Sequence, residues 1–279
     1  MNDNNVAILI NSCDLYKDVV ELNLCAINEF WNNRNYPIYI NTESIKHYNT
    51  DINVTVLNLL PEKKNDWGSR FIDSLSRIKE EYVIVILDDF ILESSINTNQ
   101  LNSMIDKIKN NSSVGGFYLN YGNFILKYNY DLNLYMVDKI NYYLINTGPA
   151  IWRKNVLMNL LEPSDNPWAW EFFAKYRKYA SIFIFCSVED FSKNIYNYNY
   201  SKGGAIYRGK WVEEVVVNKI KKYNLNIDIN LRGTIKFHEP IKRSLQWKIN
   251  FFLSGFKMVG FRSFNLFIYF LKEKFKHLK

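Results

Sequence analysis

The sequence predicts an α/β fold, in which a mostly parallel sheet is flanked by helices. Short apolar runs alternate with helical patterns along the first 120 residues, as expected of repeated strand–helix–strand units. One run, residues 82–87, is continuously apolar and rich in β-branched side chains, which is typical of a central strand covered on both faces. With 279 residues, 48% of them hydrophobic, the chain is long enough to bury such a sheet.

The elements of the first half follow at short intervals. Strands are predicted at residues 6–10, 37–40, 54–57, 82–87 and 114–119. A helix is predicted where apolar residues recur at spacings of four, three and four, at Val20, Leu24, Ile27 and Trp31. A second helix is expected to begin near residues 66–69, and a third to cover 97–109.

The second half is less regular. Residues 122–144 suggest hairpin strands, and 147–150 form a turn that leads into a short helix ending near residue 161. Helices are predicted at 168–179 and 211–222, and strands at 181–188 and 233–237. No linker is evident before residue 241, so we expect one catalytic unit over 1–241, with halves 1–120 and 121–241, and a helical basic tail over 242–279.

The net charge of +7 does not indicate nucleic-acid binding, because it is concentrated at one end. Residues 242–279 contain 9 of the 35 Lys and Arg residues but only one of the 28 Asp and Glu residues, Glu273. The rest of the chain is nearly neutral. The three cysteines, Cys13, Cys25 and Cys186, have no paired spacing, which favours a reducing compartment over a disulfide framework.

Two adjacent carboxylates, Asp88 and Asp89, follow the predicted central strand directly. Ligands of parallel sheets bind beyond the carboxyl ends of the strands. Two neighbouring carboxylates repel each other, and a hard divalent cation shared with diphosphate oxygens would compensate. A helix cap with a solvated turn is the alternative explanation.

This arrangement resembles nucleotide-sugar glycosyltransferases of the GT-A type, in particular the family-2-like enzymes of bacterial surface-polysaccharide synthesis. Their acidic metal-binding motif follows the fourth strand, as Asp88-Asp89 does here, although the usual Asp-x-Asp spacing is absent. The segment 147–157 is similar to their acceptor-side segment, and Glu171 follows it where inverting members place the catalytic base. The resemblance covers roughly residues 5–240. Glu171 could instead interact with the dipole of its own helix.

The resemblance implies direct displacement at the anomeric carbon, with Glu171 as base, a nucleotide sugar as donor, and Mg²⁺ or Mn²⁺ as cofactor. It implies metal ligation by Asp88, Asp89 and His238. Donor binding is expected of Ser12, Asp14, Asp66, Arg70, Asp88, Lys202, Arg208 and Lys210. Residues 202–204 and 208–210 form a basic, flexible loop that is suited to close over a diphosphate. As alternatives, Asp14 and Asp66 could be helix caps, His238 could be structural, and the loop could be an ordinary solvated one.

The expected acceptor is a glycan or a lipid-linked sugar, and a homo-oligomer is possible. Two other functions stay open: a sugar nucleotidyltransferase, and a non-catalytic sugar-binding or scaffolding protein. The former would need a glycine-rich basic loop after the first strand, which residues 11–14 do not provide.

The tail contains many aromatic residues between its cations, too apolar for a solvated tail and too often interrupted for a membrane span. We therefore expect residues 242–279 to attach a cytoplasmic enzyme to the anionic inner face of the membrane. The alternative is that these aromatic side chains pack onto the catalytic body or a second subunit.

Overall fold

The fold was analysed in a computed structural model that describes residues 5–58, 66–199, 203–236 and 244–265. The strands are β1 (Val6–Asn11), β2 (Ile38–Thr42), β3 (Thr55–Asn58), β4 (Tyr82–Leu87), β5 (Val114–Tyr118), β6 (Leu126–Asn129), β7 (Leu134–Val137), β8 (Ala150–Arg153), β9 (Ile184–Ser187), β10 (Ile206–Tyr207), β11 (Lys210–Val212) and β12 (Thr234–Ile235). The helices are α1 (Lys17–Phe30), α2 (Trp67–Arg77), α3 (Thr98–Asn110), α4 (Lys154–Asn159), α5 (Pro167–Phe173), α6 (Lys178–Ile182), α7 (Glu213–Lys222), α8 (Ile229–Arg232) and α9 (Leu245–Val259).

Nine strands form one sheet in the order β3-β2-β1-β4-β8-β5-β9-β7-β6. β7 and β8 run against the direction of the other strands, so the sheet is mixed but mostly parallel. A small second sheet joins β10, β11 and β12. The predicted fold class, an α/β fold with a mostly parallel sheet flanked by helices, is confirmed.

The central strands β1 and β4 are buried because hydrophobic clusters cover both faces of the sheet. Side chains alternate between the clusters: Ile8 and Ile84 belong to one, Leu9 and Val85 to the other. This accounts for the continuous apolar runs, which would alternate with polar residues if one face met water.

Three of the predicted elements are wrong in extent. The strand expected over 181–188 is limited to β9, because Ser181 and Ile182 belong to α6. The helix expected over 168–179 is divided into α5, a 3₁₀ turn over Ala174–Tyr176, and α6. The break falls at Arg177, whose backbone is extended and whose guanidinium donates to both carboxylate oxygens of the buried Asp165, at 2.6 and 2.7 Å. The helix expected over 211–222 begins two residues later, because Trp211 and Val212 pair with β12 as part of β11.

The helical part of the predicted tail packs onto the body. Phe251 of α9 lies 5.5 Å from Phe172 and 5.7 Å from Phe173, measured between ring centroids. Gly255 leaves room for Phe173, since a Cβ there would come within 2.3 Å of its ring. No helix among the described residues is long and apolar enough to cross a bilayer.

Candidate active site

The two acidic residues lie at the carboxyl end of β4, beside the end of β1. Because Asn11 pairs with Leu87 in register, the residues after these strands meet. Ser12 Oγ donates a hydrogen bond of 2.6 Å to Asp88 Oδ2. Topology thus brings together two segments that are 76 residues apart in sequence.

Backbone contacts fix the pair from two sides. The buried Asn23 of α1 donates to the carbonyl oxygen of Asp88 at 3.0 Å. The backbone N–H of Ala205 donates to the carbonyl oxygen of Asp89 at 2.7 Å. Gly204, with a φ of 103°, allows this approach, because a Cβ there would lie 2.8 Å from the Asp89 carbonyl oxygen.

Burial raises the pKa of both carboxyl groups, and the negative charge of Asp88 raises the pKa of Asp89 further. The hydroxyl of Ser12 and the cation of Arg232 act against this shift at Asp88. The pair is therefore an electrostatically strained site that a bound cation would stabilise.

Glu171 approaches the same space from the second half of the chain. It lies in α5, whose start is fixed by Pro167 at the first helical position and by Asn166, which accepts from the Ala169 N–H. Thr147 donates to Glu171 Oε1 from its backbone N–H at 2.9 Å and from its hydroxyl at 2.5 Å. Burial nevertheless raises the pKa of Glu171 above the usual glutamate range, which strengthens it as a base.

One cavity of about 730 Å³ contains most of these groups. Of the residues predicted from the sequence, it is lined by Ser12, Arg70, Asp88, Asp89, Glu171 and Arg208. A second cavity of about 200 Å³ adjoins it, and the two share Phe90, Thr147, Glu171 and Tyr198. Glu171 is thus positioned between the two spaces.

The smaller cavity has a different chemical character. Its wall is aromatic, and Phe90 stacks on Tyr198 with ring centroids 4.3 Å apart. Its polar groups include the amides of Asn120 and Asn146, and among the described residues no Lys or Arg lines it. Glu171 is its one Asp or Glu. This space therefore suits an uncharged ring that carries hydroxyl groups.

The two arginines of the larger cavity differ in how their charge is used. Arg70 forms an ion pair of 2.5 Å with Glu43 and donates to the carbonyl oxygen of Ser12 at 3.2 Å. Arg208 is exposed, stands over the ring of Tyr207, and has no ion pair within the described ranges. Arg208 is thus the more available cation for an anionic ligand.

Several of the predicted donor-binding residues lie elsewhere. Asp14 accepts hydrogen bonds from the hydroxyl of Thr42 and from backbone N–H groups of residues 43–45, which hold its pKa well below the usual range. It thereby ties two loops together, and it caps no helix through its side chain. Asp66 stands at the cap position of α2 without a capping hydrogen bond from its side chain, and neither Asp66 nor Lys210 lines the larger cavity. Lys202 and His238 lie outside the described residues.

Sequence reasoning missed four contributors. Thr147 was assigned to a turn and to the segment similar to an acceptor-side segment, but its contact with Glu171 was not predicted, and Tyr198 had no recognisable motif. Asn11 is buried, lines the larger cavity, and has an Nδ2 group with no hydrogen-bond partner in the described structure. Arg232 stacks over Tyr16 from α8, more than 200 residues away. The position of Asn11 at the end of β1 was the one available signal.

The described residues contain no cluster of three His, Cys, Asp or Glu side chains that would hold a metal by itself. The buried pair Asp88 and Asp89 nevertheless fits Mg²⁺, which usually binds through one or two carboxylates together with substrate phosphates. Burial raises the pKa of both carboxyl groups and the charge of Asp88 raises that of Asp89 further, and this cost of holding two charges together is the observation that favours such an ion.

No protein-family model matches the chain, and no curated protein does so either. Among solved structures, S. aureus TarS is similar at 12% identity over 82% of this chain and 41% of that chain, with a TM-score of 0.44. The 1–349 form of TarS in complex with UDP is similar at 12% identity over 81% of this chain and 67% of that chain, with a TM-score of 0.43. A cytidylyltransferase from Leptospira borgpetersenii serovar Hardjo-bovis is similar at 14% identity over 86% of this chain and 99% of that chain, with a TM-score of 0.41. The chain thus spans less than half of the TarS chain in the first of these structures, and likenesses of this strength do not establish a function.

Proposed function

We propose that the protein is a glycosyltransferase, which moves a sugar from a nucleotide-sugar donor to a hydroxyl group of a glycan or lipid-linked acceptor. The observation that carries the proposal is the position of Glu171 between two cavities of unlike chemistry. The larger cavity offers carboxylates and cations for a metal-bound diphosphate, and the smaller one offers aromatic and amide groups for an acceptor ring.

Transfer would be a single displacement with inversion. The carboxylate of Glu171 takes the proton from the acceptor hydroxyl, whose oxygen forms a bond to the anomeric carbon. The bond between that carbon and the diphosphate oxygen breaks, and the electron pair leaves with the nucleoside diphosphate. The guanidinium groups of Arg208 and Arg70 line the cavity where this negative charge would develop.

Asp88 and Asp89 would hold the divalent cation, which supplies charge neutralisation to the departing diphosphate. Ser12 keeps the Asp88 carboxylate oriented, and the loop at Gly204 and Ala205 does the same for Asp89. Asn11 offers a buried amide donor in the same cavity to the nucleoside.

The acceptor-side cavity points to a neutral sugar as the group that receives the transfer. A phosphate or carboxylate placed there would meet the carboxylate of Glu171, and no Lys or Arg of the described part of the chain lines the cavity to offset the repulsion. Synthesis of a capsule-type or O-antigen-type polysaccharide is the process that such a donor and acceptor would serve.

The test is to incubate the protein with Mg²⁺ or Mn²⁺ and a panel of UDP-, GDP- and CMP-sugars, and to measure nucleotide release with and without neutral glycosides. A glycosyltransferase releases the nucleotide and does so faster with a suitable glycoside. A nucleotidyltransferase would instead release pyrophosphate from a nucleoside triphosphate and a sugar phosphate. A scaffolding protein would do neither, and either of these results would contradict the proposal.

A further inference from the structure

Helix α9 is apolar on two opposite faces, of which the described structure covers one. Phe251, Gly255 and Met258 face the body, where they pack against α5 and the residues around it. A second stripe, made of Leu245, Ile249, Leu253 and Phe256, is between 40% and 74% exposed. At about 100° per residue, the two faces point roughly 150° apart around the helix.

Cations line both edges of this exposed stripe. By the same helical geometry, Lys248 and Lys257 each lie roughly 90° from its centre, on opposite sides. The 3₁₀ turn Gly260–Ser263 extends the exposed apolar surface, because Phe261 is 81% exposed and its ring centroid lies 5.6 Å from that of Phe256. Arg262 instead donates to the carbonyl oxygen of Tyr176 in the body. Residues 244–265 contain no Asp or Glu at all.

An apolar face bordered by lysines is the pattern of a helix that lies in the plane of a membrane surface. The apolar side chains enter the acyl boundary, while the lysine stems extend so that their ammonium groups reach the headgroups. The charge also argues against a second copy of this chain as the occupant, since a symmetric contact would bring two identical cationic surfaces together.

We propose that the exposed face of α9, defined by Leu245, Ile249, Leu253 and Phe256, docks the protein on an anionic bilayer. The opposite, body-facing side of α9 lies next to the smaller cavity: Tyr143 in the wall of that cavity contacts Phe172 at 4.7 Å, and Phe172 contacts Phe251 at 5.5 Å, so about one helix diameter separates the cavity wall from the docking face. Docking therefore brings the acceptor side of the site close to the membrane, where a lipid-linked sugar would be found. This last point rests on the proposed function, but the binding itself does not.

The experiment measures co-sedimentation of the full chain with vesicles of phosphatidylcholine alone, and with vesicles that also contain phosphatidylglycerol. We expect binding to the anionic vesicles only, weakened by salt. In the full chain, the changes Ile249→Ser, Leu253→Ser and Phe256→Ser together should lower binding by about 100-fold or more. Lys248→Gln with Lys257→Gln should lower it by about 25-fold, at about fivefold for each lysine.

The matched control carries three similar changes at exposed apolar residues elsewhere, Ile125→Ser, Ile140→Ser and Leu231→Ser, and should bind like the unchanged chain. Circular dichroism verifies that all the variants are folded. The proposal is overturned if the triple change in α9 leaves vesicle binding intact. It is equally overturned if the unchanged chain is a dimer in light scattering without vesicles and the α9 change makes it a monomer. Neither readout depends on catalysis.

Discussion

Among the described residues, three carboxylates line the larger cavity, and each of them has different neighbours. Asp88 accepts from the hydroxyl of Ser12, Asp89 experiences the negative charge of Asp88, and Glu171 accepts two hydrogen bonds from Thr147. The pKa of all three is raised, with burial as the main cause. Such perturbed groups gathered in one cavity are typical of functional sites.

The acidic pair should act as a metal-binding unit. Asp89→Asn is expected to lower transfer by at least about 10²-fold, because metal stabilisation of the leaving group contributes several kcal/mol. It should leave the melting temperature of the metal-free protein unchanged or higher, since one of two repelling buried charges is removed. Steady-state kinetics and thermal unfolding measure the two effects.

Asp138→Asn is the control, because Asp138 is paired with Lys127 away from the larger cavity and its loss should not change transfer. The unchanged protein should also lose activity in a chelator and recover it with Mg²⁺ or Mn²⁺. Full activity of Asp89→Asn, or of the unchanged protein in chelator, would show that the pair holds no catalytic metal.

At the scale of elements, the site depends on a loop that joins the small sheet to the end of β4. The N–H of Ala205 bonds to the carbonyl oxygen of Asp89, and the N–H of Val212 in β11 bonds to the carbonyl oxygen of Ala205 at 2.9 Å. The sequence indicated a basic, flexible loop here. The contact with Asp89 was not predictable, because it depends on how a segment more than 100 residues away folds back over the sheet.

Gly204→Ala should displace either this loop or Asp89. A Cβ at residue 204 would lie 2.8 Å from the Asp89 carbonyl oxygen and 2.9 Å from its Oδ2, in addition to the strain of a positive φ. We expect a loss of transfer of at least about tenfold, as small displacements of a catalytic group are costly. The measurement is kcat and the metal concentration for half-maximal activity.

Gly203→Ala is the matched control, since residue 203 also has a positive φ but a Cβ there meets nothing within 4 Å. It should share the backbone strain and keep nearly all of the activity. Equal losses in the two variants would mean that strain in the loop matters and its contact with Asp89 does not.

The same distinction between local and distant effects explains how much the sequence predicted. The strands up to β5 were predictable because each is a short apolar run with clear ends, and the acidic pair stands directly after one of them. The break between α5 and α6 was not, because it is made by the ion pair of Arg177 with Asp165, a contact absent from any local pattern. The hydrogen bond from Thr147 to Glu171 was not predictable for the same reason, since the two residues are 24 positions apart in the sequence.

For the whole molecule, the site is assembled from segments throughout the chain. β1 and β4 contribute the acidic end, α5 and the turn before β8 contribute Glu171 and Thr147, and the small sheet covers the cavity. Helix α9 packs against α5 on the side away from the sheet core, so the predicted tail begins as part of the body. We retain as a proposal that residues 1–241 form the catalytic unit.

The role of Glu171 as base is the central claim, and transfer by a Glu171→Gln variant tests it most directly. The variant keeps the shape of the side chain and removes its basicity, so transfer should fall by about 10² to 10⁴-fold while donor affinity is retained. In the unchanged enzyme, kcat/KM should fall as the pH is lowered through the pKa of Glu171, because protonation removes the base. Since that pKa is raised, the fall should occur at a higher pH than an ordinary glutamate would give. Glu162→Gln, at an exposed position outside the larger cavity, should change neither. Undiminished turnover in Glu171→Gln, or loss of donor affinity alone, would contradict the account.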